Sequence, residues 1–353
     1  MKKLSKRIIS ISIMLIMFMI TFAGCQNKTN SSNNESNSKK VYKLGICAYP
    51  AFYTWYITQA EGFFKKRGIN VKLVYFPVYS DSVQAFNTGK IDMLSAAVPD
   101  IIAPYVNGIG LETVLLLDNS NGADGLVARN GINSIKDLKG KSVATEYGTI
   151  EHFFLLNALK KKGMTEKDIN FVNLSISDAA PAFLSGKVDA ASLWEPSLSK
   201  ALAKKDSKLL VSSKDTPGLI PDVLVANKDM VENGKPDIEK VINAYYDSME
   251  FYVKNKDKAI QDMAKGAGIS TNEMKVAMSG SKLFTIKSSI DAMDKKEDNY
   301  SYLPYTTEKI ARFLQMVKMI DKMPDDTKKM YNSAYLKEVL KTRESTPVPD
   351  TTK

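Results

Sequence analysis

Two stretches of this chain repeat one another at a constant offset, which limits the folds open to it more than any other feature. Ser80-Asp81-Ser82-Val83-Gln84-Ala85-Phe86-Asn87-Thr88-Gly89-Lys90-Ile91-Asp92 aligns with Ser177-Asp178-Ala179-Ala180-Pro181-Ala182-Phe183-Leu184-Ser185-Gly186-Lys187-Val188-Asp189, 97 positions later. The register continues to Ser95 against Ser192 and Pro99 against Pro196, giving nine identities in twenty positions without a gap. Each copy opens on Ser and Asp, which cap helices, stops at a glycine, turns, and enters a strand near its second Asp. One such element is ordinary helix-turn-strand grammar. Two in register predict two related lobes, with Phe86 and Phe183 in equivalent buried positions.

The surrounding sequence has the same grammar. Short β-like runs at 71–76, 91–96, 113–117, 141–145 and 171–174 alternate with helical ones, the pattern of βα units around a largely parallel sheet. At 41–47, Tyr42, Leu44 and Ile46 alternate as in a half-buried strand that places Cys47 as a buried, unreactive thiol. Gly68, Gly89 and Gly163 follow helical runs, two of which end in clustered cations suited to the negative end of a helix dipole. With 353 residues, 44% of them apolar, the chain can bury one large core or two mid-sized ones. In open α/β sheets ligands sit beyond the carboxyl ends of the strands, so those strand ends are where a site is expected.

Composition excludes several activities. A single histidine and two cysteines leave no multi-histidine zinc site, no pair of histidine catalysts and no disulfide framework, so neither a metal nor a cofactor is expected. Of the formal charge of +10, Lys2, Lys3, Lys6 and Arg7 precede an apolar run at 8–22, and the remaining positive charge is dispersed. No basic helix interleaved with aromatics is present, which argues against nucleic acid as a partner. The apolar run is shorter than the roughly 20 residues of a membrane span and reads as the core of a signal peptide over 1–24. The polar stretch that follows, within 25–40, reads as a flexible tether. Phe22-Ala23-Gly24-Cys25 resembles the lipobox of bacterial lipoproteins, with Phe22 where Leu is usual. That resemblance implies a lipidated Cys25 and attachment to the outer face of the cell membrane.

A wider resemblance rests on Gly45-Ile46, on Thr58-Gln59-Ala60-Glu61-Gly62-Phe63-Phe64 and on the paired Gly-Lys-(Ile/Val)-Asp turns. It is completed by Ile135-Lys136-Asp137-Leu138-Lys139-Gly140-Lys141 and by Trp194-Glu195-Pro196. Together these resemble the nitrate/sulfonate/taurine family of solute-binding proteins of ABC importers, over about residues 41 to 260. The resemblance implies an α/β, two-lobed periplasmic-binding-protein-like fold with two crossover strands, near Gly125-Leu126-Val127-Ala128 and Val223-Leu224-Val225-Ala226, and a helical C-terminal portion. Lobe one would then be 41–124 plus 227–343 and lobe two 125–226, with a disordered tail at 344–353. The expected partners are a small-molecule ligand, a permease and the membrane, with the protein itself a monomer.

The candidate ligand residues follow from the strand ends. Tyr49 and Tyr53 lie in the first strand-to-helix loop, and Ser80 and Asp81 open the next helix, where capping is their alternative role. Glu146 and Thr149 join a strand to the helix of Phe153 and Phe154. Trp194 and Glu195 stand where the other copy of the repeat has Ala97 and Val98; in sulfonate and taurine binders the matching segment borders the ligand. Asp118, Asp124 and Asp222 cluster near the expected crossovers. Several acids in one cleft repel unless the ligand brings positive charge, which disfavours nitrate. His152, one turn into its helix, reads as a packing or surface histidine. The expected function is ligand capture without catalysis, the ligand being taurine or a related aminosulfonate. The alternatives are an aminopyrimidine thiamine precursor, an aliphatic sulfonate, a sensor or adhesion lipoprotein, and an enzyme related to a pyrimidine synthase of the same fold.

Overall fold

A computed structural model describes residues 40–343 and 347–351. The signal peptide, Cys25 and nearly all of the tether lie outside the described residues. Eleven strands run in chain order: β1 (Val41–Ile46), β2 (Asn70–Tyr75), β3 (Met93–Ala97), β4 (Leu111–Ser120), β5 (Asp124–Arg129), β6 (Ser142–Thr145), β7 (Asn170–Asn173), β8 (Ala190–Trp194), β9 (Ser207–Ser212), β10 (Pro221–Asn227) and β11 (Ser281–Leu283). The helices of the strand-rich part are α1 (Thr54–Ala60), α2 (Phe63–Lys66), α3 (Tyr79–Asn87), α4 (Val98–Val106), α5 (Ile150–Lys160), α6 (Ile176–Ser185) and α7 (Ser197–Leu202).

The repeat folds as two copies of one unit. Helix α3 and strand β3 belong to a six-stranded sheet of order β11-β4-β10-β3-β1-β2, and α6 and β8 to a five-stranded sheet of order β7-β6-β8-β5-β9. Each helix is closed by a glycine in the left-handed region, Gly89 at φ 69° and Gly186 at φ 84°, where a side chain is strained. The aspartates that close the motif do the same work. Asp92 accepts the Lys43 amide at 2.7 Å and Asp189 accepts the Ser142 amide at 2.9 Å, each tying the turn to the strand parallel to the one it enters, β1 and β6. Phe86 and Phe183 are both buried.

The sheets match by exchange. In the first, β10 is inserted antiparallel between β3 and β4; in the second, β5 is inserted antiparallel between β8 and β9. The inserted strand arrives in each case from the other lobe, so β5 and β10 are the strands that cross. β10 pairs in the first sheet along its whole length, so the chain returns there at Pro221 rather than at residue 227. The outgoing crossing lies between Ser120 and Asp124.

Seven further helices follow: α8 (Lys228–Asn233), α9 (Lys235–Lys254), α10 (Lys256–Ala267), α11 (Thr271–Met278), α12 (Ile286–Asp294), α13 (Leu303–Met316) and α14 (Ala334–Lys341). Helix α9 packs on α1 and α14, burying Tyr245, Tyr246, Met249 and Tyr252. Part of the expected disordered tail is held: Val348 packs on the core and the Thr351 hydroxyl donates to the Ser281 carbonyl of edge strand β11. That contact satisfies a carbonyl at the sheet edge, which composition does not report. No helix among the described residues is long and apolar enough to cross a membrane.

Candidate functional site

The lobes meet across a closed cleft. The Ser80 amide donates to Glu146 Oε1 at 2.9 Å, the Tyr79 and Trp194 rings meet edge to face at 5.6 Å, and Phe153 of α5 packs edge-on against Phe313 of α13. Inside lies a small cavity with room for about one water molecule. Its walls are the rings of Tyr49, Phe52 and Tyr79 from the first lobe and Trp194 from the second, with the Cys47 thiol, and Asp124 and Asp222 open onto it. No Lys, Arg or His lines it.

The acids come together through the crossing strands. Asp118 near the end of β4 is the register partner of Asp222 in β10, so two carboxyls face each other across an antiparallel pair. The Tyr49 hydroxyl donates to Asp118 Oδ2 at 3.4 Å. Asp124, first residue of β5, takes a hydrogen bond from Ser120, whose hydroxyl lies 2.7 Å from that of Ser213 on the return path. Glu151, in the first turn of α5, takes a hydrogen bond from Ser192 and meets the Asp124 carboxyl. Burial pushes the pKa values of Asp118, Asp124, Asp222 and Glu151 up, since the charged form loses its hydration. The acids raise one another further: Asp118 and Asp124 act on Asp222, and Asp124 acts on Glu151. Asp100 of α4 is pushed up to about 8, chiefly by burial, although the Tyr79 hydroxyl and the Ile150 amide bond it.

Of the residues expected at the site, Tyr49, Asp124, Trp194 and Asp222 line the cavity and Asp118 lies directly behind Tyr49. The others are placed elsewhere. Tyr53 is buried with its ring stacked 6.0 Å from that of Tyr56 and does not line the cavity. Asp81 is exposed in the first turn of α3, and Ser80 offers only its amide, to Glu146. Thr149 starts α5 with its hydroxyl on the Glu146 carbonyl at 2.8 Å. Glu195, next to Trp194, turns back onto α7, where Ser199 donates its amide at 3.1 Å and its hydroxyl at 2.5 Å. His152 is buried outside the cavity, its Nε2 2.5 Å from Glu166, and burial holds its pKa below the usual value.

Sequence reasoning did not assign Glu151, Asp100 or Tyr79 to the site. Each acid has the same faint signal, a lone carboxyl inside an apolar helical run, Ile150-Glu151-His152-Phe153-Phe154 and Val98-Pro99-Asp100-Ile101-Ile102. In the first turn of a helix such a residue reads as a charge placed on the helix dipole.

The arrangement has a chemical consequence for anions. Helix N-termini are the usual anion sites of this architecture. Here the cleft-side amides at the starts of three helices already face carboxyls of the protein: Ser80 of α3 faces Glu146, Ile150 of α5 faces Asp100, and Ser199 of α7 faces Glu195.

Comparison with known proteins agrees with this architecture. The model of the NMT1/THI5-like family matches residues 49–259. The chain is 24% identical over 253 residues to a Bacillus subtilis (strain 168) protein named for binding aliphatic sulfonates, covering 70% of this chain and 75% of that one. It is 24% identical over 241 residues to the taurine-binding periplasmic protein of Escherichia coli (strain K12), covering 65% and 74%. The alkanesulfonate-binding protein SsuA from Xanthomonas axonopodis pv. citri, bound to MOPS, superposes with a TM-score of 0.68 at 18% identity, over 81% of this chain and 96% of SsuA.

Proposed function

The chain belongs to the NMT1/THI5-like family, and from that premise we propose that it is the binding protein of an ABC importer, closing on a small ligand that presents a protonated or hydrogen-bond-donating nitrogen. The observation that carries the ligand class is a cavity walled by rings and carboxyls with no base in its lining. A buried carboxylate without a partner is strongly unfavourable, so the ligand supplies the positive or donating group. Anionic groups fare poorly for a second reason. A sulfonate or nitrate would compete with Glu146, Asp100 and Glu195 for the helix-end amides. An aminopyrimidine matches the lining best among the classes expected from the sequence: once the cleft opens to admit it, Tyr49, Phe52 and Trp194 offer ring faces to a heteroaromatic, and Asp124 and Asp222 offer acceptors to its amino group. The amine of taurine meets the same acids, and its sulfonate is the part left without a site.

Nothing in this reading requires catalysis. Closure around the ligand supplies affinity, and the closed shape is what a permease distinguishes. Lipidation at Cys25 keeps the protein beside that permease; Cys25→Ser is expected to remove lipid label and membrane retention together. The ligand class is tested by calorimetry on the full chain in mild detergent with 4-aminopyrimidine, taurine, ethanesulfonate and nitrate. Binding of the amines alone is the expected result, and tight binding of ethanesulfonate or nitrate overturns it.

A further inference from the structure

The carboxyls at the cavity form two facing pairs, each with one member in its lining, Asp222 with Asp118 behind it and Asp124 with Glu151. The first is imposed by strand register, since the two aspartates are direct cross-strand partners, a placement in which like charges repel. Asp118 Oδ1, Asp222 Oδ2 and Glu151 Oε1 are buried and have no hydroxyl or amide donor. A proton held between the two carboxyls of a facing pair satisfies such oxygens and removes the repulsion.

We propose that the cleft holds a proton on each of these two carboxyl pairs and that the ligand's ammonium group displaces one of them, so that capture is an exchange of cation for proton. This rests on the reading of the ligand as a nitrogen donor. For a ligand R–NH3+ the balance is one N–H···O contact formed, one carboxyl O–H broken and one proton released to solvent. The titratable groups that face the pairs are acids and weak acids, Tyr49 and Cys47 after β1, Tyr245 of α9, Asp100 of α4 and Glu195 after β8, beside the neutral hydroxyls of Ser120, Ser192 and Ser281. None of them can neutralise a carboxylate, which leaves the proton or the ligand to do so. The cluster also flanks both crossings, Asp118 and Asp124 on the outgoing path and Asp222 on the return. Capture and lobe movement therefore act on the same groups.

Infrared spectroscopy reads this on the full chain in detergent at pH 7, through the carbonyl stretch of un-ionised carboxylic acid. The ligand-free protein is expected to show the band. Asp222→Asn and Glu151→Gln should each remove part of it and the double substitution all the part that methylammonium chloride displaces. Sodium chloride at equal ionic strength should leave it in place. Because an amide mimics the protonated acid, these variants are expected to fold and to melt no lower than the unaltered protein at pH 8. A missing band, or one unchanged by both substitutions, overturns the proposal. A band that persists at saturating methylammonium while calorimetry records amine binding overturns the exchange alone. Persistence with no heat from methylammonium, taurine or 4-aminopyrimidine overturns the ligand reading with it.

Discussion

A buried carboxylate needs its lone pairs met, and Glu195 meets them at Ser199 through one amide and one hydroxyl. Its adjacency to Trp194 in the chain therefore does not make it a ligand group. Glu195→Gln is expected to cost about 1 kcal/mol of stability, as loss of a helix-cap contact does, and to leave amine affinity unchanged. Asp124 opens on the cavity, and Asp124→Asn should weaken amine binding by roughly 2 to 5 kcal/mol, the range for losing one partner of a buried charge pair. Calorimetry and thermal melting on the two variants separate these roles. Asp100 adds a pH dependence. Its pKa is about 8 in the folded protein, against about 4 when unfolded, so the folded state binds more protons between those values. The stability it contributes is complete below about pH 4 and lost as pH rises through about 8. Melting curves should show a flatter decline from pH 5 to 8.5 in Asp100→Asn.

At the scale of elements, the repeat makes one prediction twice. Phe86 on α3 and Phe183 on α6 each sit three residues before the closing glycine, Gly89 and Gly186, and are buried to 2% and 0% exposure. Phe→Ala at either position should cost about 3 to 5 kcal/mol in denaturant unfolding. Near-equal losses are expected, since both leave a cavity beneath a parallel strand pair held to its turn by the same aspartate-to-amide bond. A loss at one position and none at the other would count against equivalence of the units.

For the whole molecule, contacts across the cleft include Ser80 to Glu146, Tyr79 on Trp194, Phe153 on Phe313 and the Lys200–Glu273 ion pair. The chain has two tryptophans, and they report on different things. Trp55 is held in the first lobe, its Nε1 donating to Ser95 at 3.0 Å, whereas Trp194 lines the cavity and meets Tyr79 across the cleft. Addition of an amine ligand should change the emission of the unaltered protein. Trp194→Phe should abolish that change while leaving the Trp55 signal.

The chain alone determined the units. Glycine stops and two-residue alternation act over a few neighbouring residues, so α3, β3, α6 and β8, their correspondence and the burial of both phenylalanines were legible from residues 80–99 and 177–196. The helix starts were not: the N-caps are Val78 and Ser175, and neither Ser80-Asp81 nor Ser177-Asp178 caps its helix. The convergence of Asp118, Asp124 and Asp222 was legible too, because all three fall near strands that pass between lobes. What the tertiary structure decided was pairing between distant residues. Nothing local distinguishes Glu151 from an ordinary dipole-facing acid until Asp124 is brought against it, or sets Asp222 opposite Asp118 rather than one residue along, which would turn its side chain to the other face. The same holds for Glu195, whose direction is chosen by a serine one helical turn away, and for the return at Pro221, which depends on how far β10 pairs. Periodicity specifies which face of an element is buried; only packing specifies what that face meets.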